Sequence, residues 1–135
     1  MKKKRLHFLA RAAMTLLLVM FATIGARADE GTLSGSGTAA DPYLIGSDAD
    51  WETFVSYIND KGGNYRFKNY KLTADIHVTS MVGKNDDTNA FKGIFDGNGH
   101  TMTLNLTTDD NSYCAPFRYV GKSTFKRLHI AGKIT

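Results

Sequence analysis

One cysteine, Cys114, stands among 135 residues, and a lone thiol excludes an internal disulfide. An exported domain of this kind must be held by its core, by a metal or by a partner. Cys114 sits in Ser112-Tyr113-Cys114-Ala115-Pro116 with no second cysteine nearby, which reads as a small buried hydrophobe rather than a catalytic thiol. Acidic residues are missing before Asp29, although six of the 17 basic residues (Lys2, Lys3, Lys4, Arg5, Arg11, Arg27) lie there. The overall charge of +4 therefore belongs to that first segment. From Asp29 onward 11 basic residues face 13 acidic ones, a net of −2. That balance removes the case for a nucleic-acid partner. Also missing is a long apolar run. The stretch after Arg11, broken only by Thr15, ends at Ala22, about 11 residues against the roughly 20 that span a bilayer.

What is present at the start has the three parts of an export signal. Met1 to Arg5 is positively charged, Phe8 to Gly25 is apolar except for Arg11, Thr15 and Thr23, and Ala26-Arg27-Ala28 offers small residues to a signal peptidase. Residues 1–28 are thus predicted to be a signal peptide. The remainder of the chain, 29–135, is then exported: extracellular, at the cell surface or in the periplasm. Contact with a membrane is expected only through the signal before cleavage. No cysteine follows the apolar run, so a lipoprotein is not indicated.

Residues 29–46 hold Gly31, Gly35, Gly37, Gly46 and Pro42 among Ser and Thr, the composition of turns and of an extended leader, mobile up to Ala40. Residues 47–135 form the rest of the predicted organisation. Ser47 is a good N-cap, with Asp48 and Asp50 in the first turn where the helix dipole favours them. Trp51, Phe54, Val55 and Ile58 follow at i, i+3, i+4 and i+7, an apolar stripe that predicts a helix packed on a core. Asn59 and Gly62-Gly63 end it. Beyond Gly63 the pattern predicts short strands: Tyr65 to Phe67, Tyr70 to Val78, Phe91 to Phe95, His100 to Leu106, then a set carrying Phe117, Tyr119, Phe125, Leu128, Ile130 and Ile134. Asp96-Gly97-Asn98-Gly99 predicts a tight turn with positive φ.

The apolar positions recur. Leu72 and Phe95, Phe95 and Phe117, Leu104 and Leu128, and Leu106 and Ile130 are all separated by nearly the same length of chain. A repeat in the low twenties predicts a mainly β fold, the start of a right-handed parallel β-helix (solenoid) with an N-terminal capping α-helix.

Several stretches carry a family resemblance. Lys71-Leu72-Thr73-Ala74-Asp75-Ile76 and Phe91-Lys92-Gly93-Ile94-Phe95-Asp96-Gly97-Asn98-Gly99-His100-Thr101 resemble the opening rungs of secreted Bacteroidetes-type right-handed β-helix proteins with GLUG-like repeats. Asp41-Pro42-Tyr43-Leu44-Ile45 with Asp50-Trp51 is similar to their entry and capping helix, and Thr124 to Ile134 to the strand after the repeat signature. Ala115-Pro116-Phe117-Arg118 stands where the family has Gly-Leu-hydrophobic-Gly. The resemblance implies a large surface or secreted protein acting in adhesion or glycan contact. With the solenoid expectation, the stop at Thr135 implies a chain truncated inside a longer one, with missing downstream rungs. The alternative is a small protein that self-associates at its open end.

No catalytic constellation emerges. Asp96 to His100 starts like a calcium loop but has Thr101 and Thr107 where Gly and Glu are required. Gly121-Lys122-Ser123-Thr124 ends like a P-loop whose first Gly would fall at Pro116. His77, His100 and His129 are not spaced as metal ligands. Asp75 and Asp96 are candidates for stacked carboxylates on neighbouring strands, the weak basis for an alternative: the N-terminal fragment of a pectate-lyase-like polysaccharide lyase or glycoside hydrolase. The chain is expected to be no enzyme and to use no metal or cofactor.

Charge layout is more informative. Residues 29–60 carry seven acids without Lys or Arg, whereas residues 113–135 carry Arg118, Lys122, Lys126, Arg127 and Lys133 without an acid. Arg118, Tyr119, Lys122, Lys126 and Arg127 are the candidate contacts for a glycan or polyanion, with an extracellular glycan or surface polymer as the expected partner. The function expected is that of a non-catalytic segment of an adhesin-like surface or secreted protein.

Overall fold

The computed structural model describes residues 31–84, 88–108 and 113–135. The predicted signal peptide, residues 1–28, lies outside them, as do residues 85–87 and 109–112. Contacts divide the chain into Met1–Thr32 and Leu33–Thr135, and the architecture below is that of the second unit.

The leader is held by its own backbone. Ser36 and Thr38 N–H groups both donate to the Asp41 carbonyl at 3.1 Å, and Leu44 N–H donates to Ser34 O at 2.9 Å. The mobile stretch predicted up to Ala40 is therefore a built turn, and it runs into strand β1, Tyr43–Ile45. Helix α1, Asp48–Ser56, starts at Ser47, whose hydroxyl accepts from Asp50 N–H at 3.1 Å, while Asp50 accepts from Gly46 N–H at 2.9 Å. These bonds occupy donors that a helix start would otherwise leave orphaned. A π turn, Tyr57–Lys61, extends the helix, and Trp51, Phe54, Val55, Tyr57 and Ile58 are buried along it. The spacing of the stripe alone placed this face. Tyr65 to Phe67, predicted as a strand, belongs to a 3-10 turn, Gly63–Phe67. The wound helix end and the positive φ of Gly62 and Gly63 keep the backbone turning there.

Six more strands follow: β2 Asn69–Leu72, β3 Ile76–Val78, β4 Ile94–Asp96, β5 Thr101–Leu106, β6 Thr124–Lys126 and β7 His129–Ile134. The predicted Tyr70–Val78 strand is bent after Leu72, so its two halves enter different sheets. All pairings are parallel, in a four-stranded sheet β1-β2-β4-β6 and a three-stranded sheet β3-β5-β7. Between the sheets pack Ile45, Tyr70, Leu72, Ile76, Val78, Phe95, Met102 and Leu106, closed off by Trp51 and Phe54 of α1, each at most 1% exposed.

The predicted right-handed β-helix is not what these residues form. They make short parallel strands in two small sheets with one short α-helix. Where a third strand per coil would be needed, the described residues make only isolated bridges, Val82 to Phe117 and Phe91 to Val120. The recurrence in the low twenties also fails as a register. Tyr70 lies beside Phe95 and Phe95 beside Phe125, pairs separated by unequal lengths of chain, and Leu104 lies beside Gly132 rather than Leu128. Counting apolar residues assumes equal connections. Here Phe91 and Phe117 sit in irregular connections of unequal length and reach the core without joining a strand.

Candidate functional site

The β4-to-β5 turn brings the first cluster together. Asn98 takes φ 52° and Gly99 φ 78°, and His100 N–H donates to Gly97 O at 2.8 Å, the tight turn predicted from the tetrapeptide. Stacked on it are residues 126–128: Gly97 N–H donates to Lys126 O and Gly99 N–H to Arg127 O, both at 2.9 Å. At Gly97 a Cβ would lie 2.5 Å from Arg127 O and 2.6 Å from the Leu128 Cα, so only glycine admits this approach.

The Asp96 carboxylate, 10% exposed, is the centre of the cluster. It accepts from Arg127 Nε at 3.0 Å, from Arg127 Nη2, and from Asn98 N–H at 2.9 Å, with Lys126 Nζ 3.6 Å away. The paired Arg127 guanidinium lowers the Asp96 pKa to about 2, against the upward push of burial. Fork-on-carboxylate pairing of this kind fixes geometry. It holds Arg127 itself at φ 49°, a conformation uncommon outside glycine. Both oxygens of Asp96 are thus used within the fold, unlike the calcium-loop resemblance of its sequence.

Asp75 serves the far end of the same turn. It accepts from Thr101 N–H at 2.9 Å, with His100 Nδ1 at 3.4 Å, and the Thr101 bond lowers its pKa. A general acid needs a raised value. Asp75 and Asp96 are both shifted the other way, and each carboxylate anchors one end of the β4-to-β5 turn. His77 Nδ1 lies 3.3 Å from Asp48 on the surface. Among the described residues no group of three or more His, Cys, Asp or Glu is placed to hold a metal ion. Cys114 is half-buried against the core.

The five predicted contact residues do not form one patch. Lys126 and Arg127 line an apolar groove of about 500 Å³ with Ala115, Pro116, Phe117, Val120, Phe125, Leu128 and Ile130. Both are partly neutralised by Asp96. Arg118 and Tyr119 sit on the connection above Val82, where Arg118 N–H donates to Val82 O at 2.7 Å. The Arg118 guanidinium is 5.6 Å from the Tyr119 ring centroid, a cation–π distance. Its Nε is buried without a hydrogen-bond partner. Lys122 is exposed on the following turn.

Sequence reasoning missed the groove and the strand edges beside it. Phe125, Ile130 and Ile134 read as apolar strand positions, yet they are 38, 54 and 45% exposed, and Val120 beside them is 46% exposed. Among the described residues no strand pairs with the outer edge of β6 or β7. The one sequence signal here is the basic, acid-free composition of 113–135.

No family model matches the chain, and no solved structure matches it. Two relatives do. Over 90 residues it is 33% identical to Halomucin of Haloquadratum walsbyi, covering 56% of this chain and 1% of that protein. Over 136 residues it is 28% identical to the "Putative Gly-rich membrane protein" of Evansella cellulosilytica, covering 92% of this chain and 15% of that protein. The chain thus spans a small part of the length of either relative. Neither name is that of an enzyme, and the non-catalytic reading of the sequence stands with them. The likeness fits a cell-envelope or exported location. No helix of the described residues is long and apolar enough to cross a membrane.

Proposed function

We propose that the chain is a non-catalytic segment of a secreted or surface-displayed adhesin-like protein, and that it contacts anionic glycan or another cell-surface polymer through the cations of 113–135. One observation carries the proposal: charge is segregated, and four acids of 29–60 are used internally. Asp48 and Asp50 accept backbone N–H groups of His77 and Gly46, Glu52 accepts from Ser80, and Asp60 pairs with Lys84. At the other end Lys122 and Lys133 are exposed and pair with no acid among the described residues. Arg118 and Tyr119 add a cation over an aromatic face, which suits stacking on a sugar ring.

The test is binding of the full chain to a sulfated polysaccharide at low and high salt. Contacts between exposed charges weaken once the screening length falls to about 3 Å at 1 M salt. Replacing Arg118, Lys122 and Lys133 by Gln should weaken binding about tenfold, on the basis of roughly half a kcal/mol per exposed charge. Replacing Lys2, Lys3, Lys4 and Arg5 should leave the bound fraction of the exported form unchanged. Binding that ignores salt, or that survives the first set of replacements, sinks the proposal.

A further inference from the structure

We propose that the outer edge of β7, with the groove beside it, docks an extended acidic polypeptide strand. The polymer-contact reading above is not needed for this.

In a parallel strand, alternate residues turn both backbone groups to the same side. His129 N–H donates to His100 O at 3.4 Å and Thr135 N–H to Leu106 O at 3.0 Å, so the odd-numbered residues of β7 face β5. Ile130, Gly132 and Ile134 then turn N–H and C=O to the open edge. Phe125 does the same in β6, because Thr124 N–H donates inward to Gly93 O at 3.0 Å. An unpaired edge next to exposed apolar side chains is a template for strand addition. The groove of about 500 Å³ gives alternate side chains of the added strand an apolar seat on Phe117, Val120, Phe125 and Ile130.

Charge selects the occupant. Residues 113–135 present five cations and no acid. An added strand with acids at its intervening positions meets Lys133 and the half-exposed Lys126 and Arg127. A second copy is disfavoured in either orientation. Tail to tail, it would set these five cations against the same five. Head to tail, it finds the other edges covered: Leu44 N–H is bonded to Ser34 O on β1 at 2.9 Å, and His77 N–H to Asp48 Oδ1 on β3 at 2.7 Å.

The experiment follows amide hydrogen exchange in the full chain with two synthetic decapeptides, one alternating Val and Glu, the other Val and Lys. The expected result is at least tenfold slower exchange of the Ile130, Gly132 and Ile134 amides with the acidic peptide. The basic peptide should bind at least tenfold more weakly. Ile130→Lys should reduce binding of the acidic peptide, its apolar contact being lost, with Trp51 fluorescence reporting an intact fold. The proposal is overturned by unchanged exchange at those amides, by equal binding of the two peptides, by a dimer that protects them without peptide, or by a soluble polyuronate that protects them as well as the peptide.

Discussion

Arg127 and Asp96, distant in sequence, are joined by two side-chain hydrogen bonds across β4 and β6. Each keeps the other's backbone in place. Asp96 also caps the turn through Asn98 N–H, while Arg127 O receives Gly99 N–H at 2.9 Å. The pair therefore ties the last two strands to the β4-to-β5 turn.

The Asp96 pKa falls from 3.8 in the unfolded chain to about 2 in the fold, so its contribution is present above pH 3.8 and is lost as pH drops toward 2. Arg127→Ala leaves a mostly buried carboxylate without its main partner. At pH 7 it should lower the urea midpoint, by less than loss of a fully buried pair would because the guanidinium is half exposed. Urea unfolding at pH 7 and at pH 2 checks this: the deficit of Arg127→Ala should shrink at the lower pH. A deficit independent of pH would mean that Arg127 acts through its positive φ alone.

Aromatic packing separates the two ends of the core. Phe54 is fully buried, with ring centroids of Trp51, Tyr70, Phe91 and Phe95 at 5.3, 4.4, 5.6 and 5.6 Å. Phe54→Ala should cost about 3–5 kcal/mol, a large share of the about 5–15 kcal/mol by which a domain is ordinarily stable. Phe125 touches Phe117 at 4.6 Å but is 38% exposed. Phe125→Ala should lose only about 1 kcal/mol, since much of its apolar surface is already in water. Denaturant midpoints of the two variants measure the difference.

Two glycines of one turn should respond differently to a methyl group. Gly97→Ala drives a Cβ into the Arg127 and Leu128 backbone, neither of which can yield without moving β6 and β7. Gly99→Ala meets nothing within 4 Å and is penalised only for its φ of 78°, by about 1 kcal/mol. Thermal unfolding should show Gly97→Ala lower than Gly99→Ala by several degrees, at about 4–8 °C per kcal/mol for a domain of this size.

Local features carried over from sequence to structure. The Ser47 cap, the Trp51-Phe54-Val55-Ile58 stripe and the alternation of Met102, Leu104 and Leu106 depend on spacing within one element, where side-chain direction follows from helix or strand geometry. The Asp96-to-Gly99 turn was legible for the same reason. Long-range pairing was not. Phe117 was counted against Phe95 as a strand partner, yet Phe125 is the partner and Phe117 stacks on Phe95 from a connection, with centroids 4.9 Å apart. Spacing cannot show how much chain a connection consumes, and register follows from that length.

The same division holds for the candidate sites. The amino-acid sequence by itself determined a capped amphipathic helix, strands with a defined apolar face, and a charge layout acidic over 29–60 and basic over 113–135. Each of these is written in neighbouring residues or in plain charge counts. Only the tertiary structure decided that Asp96 is engaged by Arg127, that Arg118 and Lys126 face different surroundings, and that Phe125, Ile130 and Ile134 border an open edge. Those outcomes depend on which strands stack and in what register, a matter of packing between segments far apart along the chain.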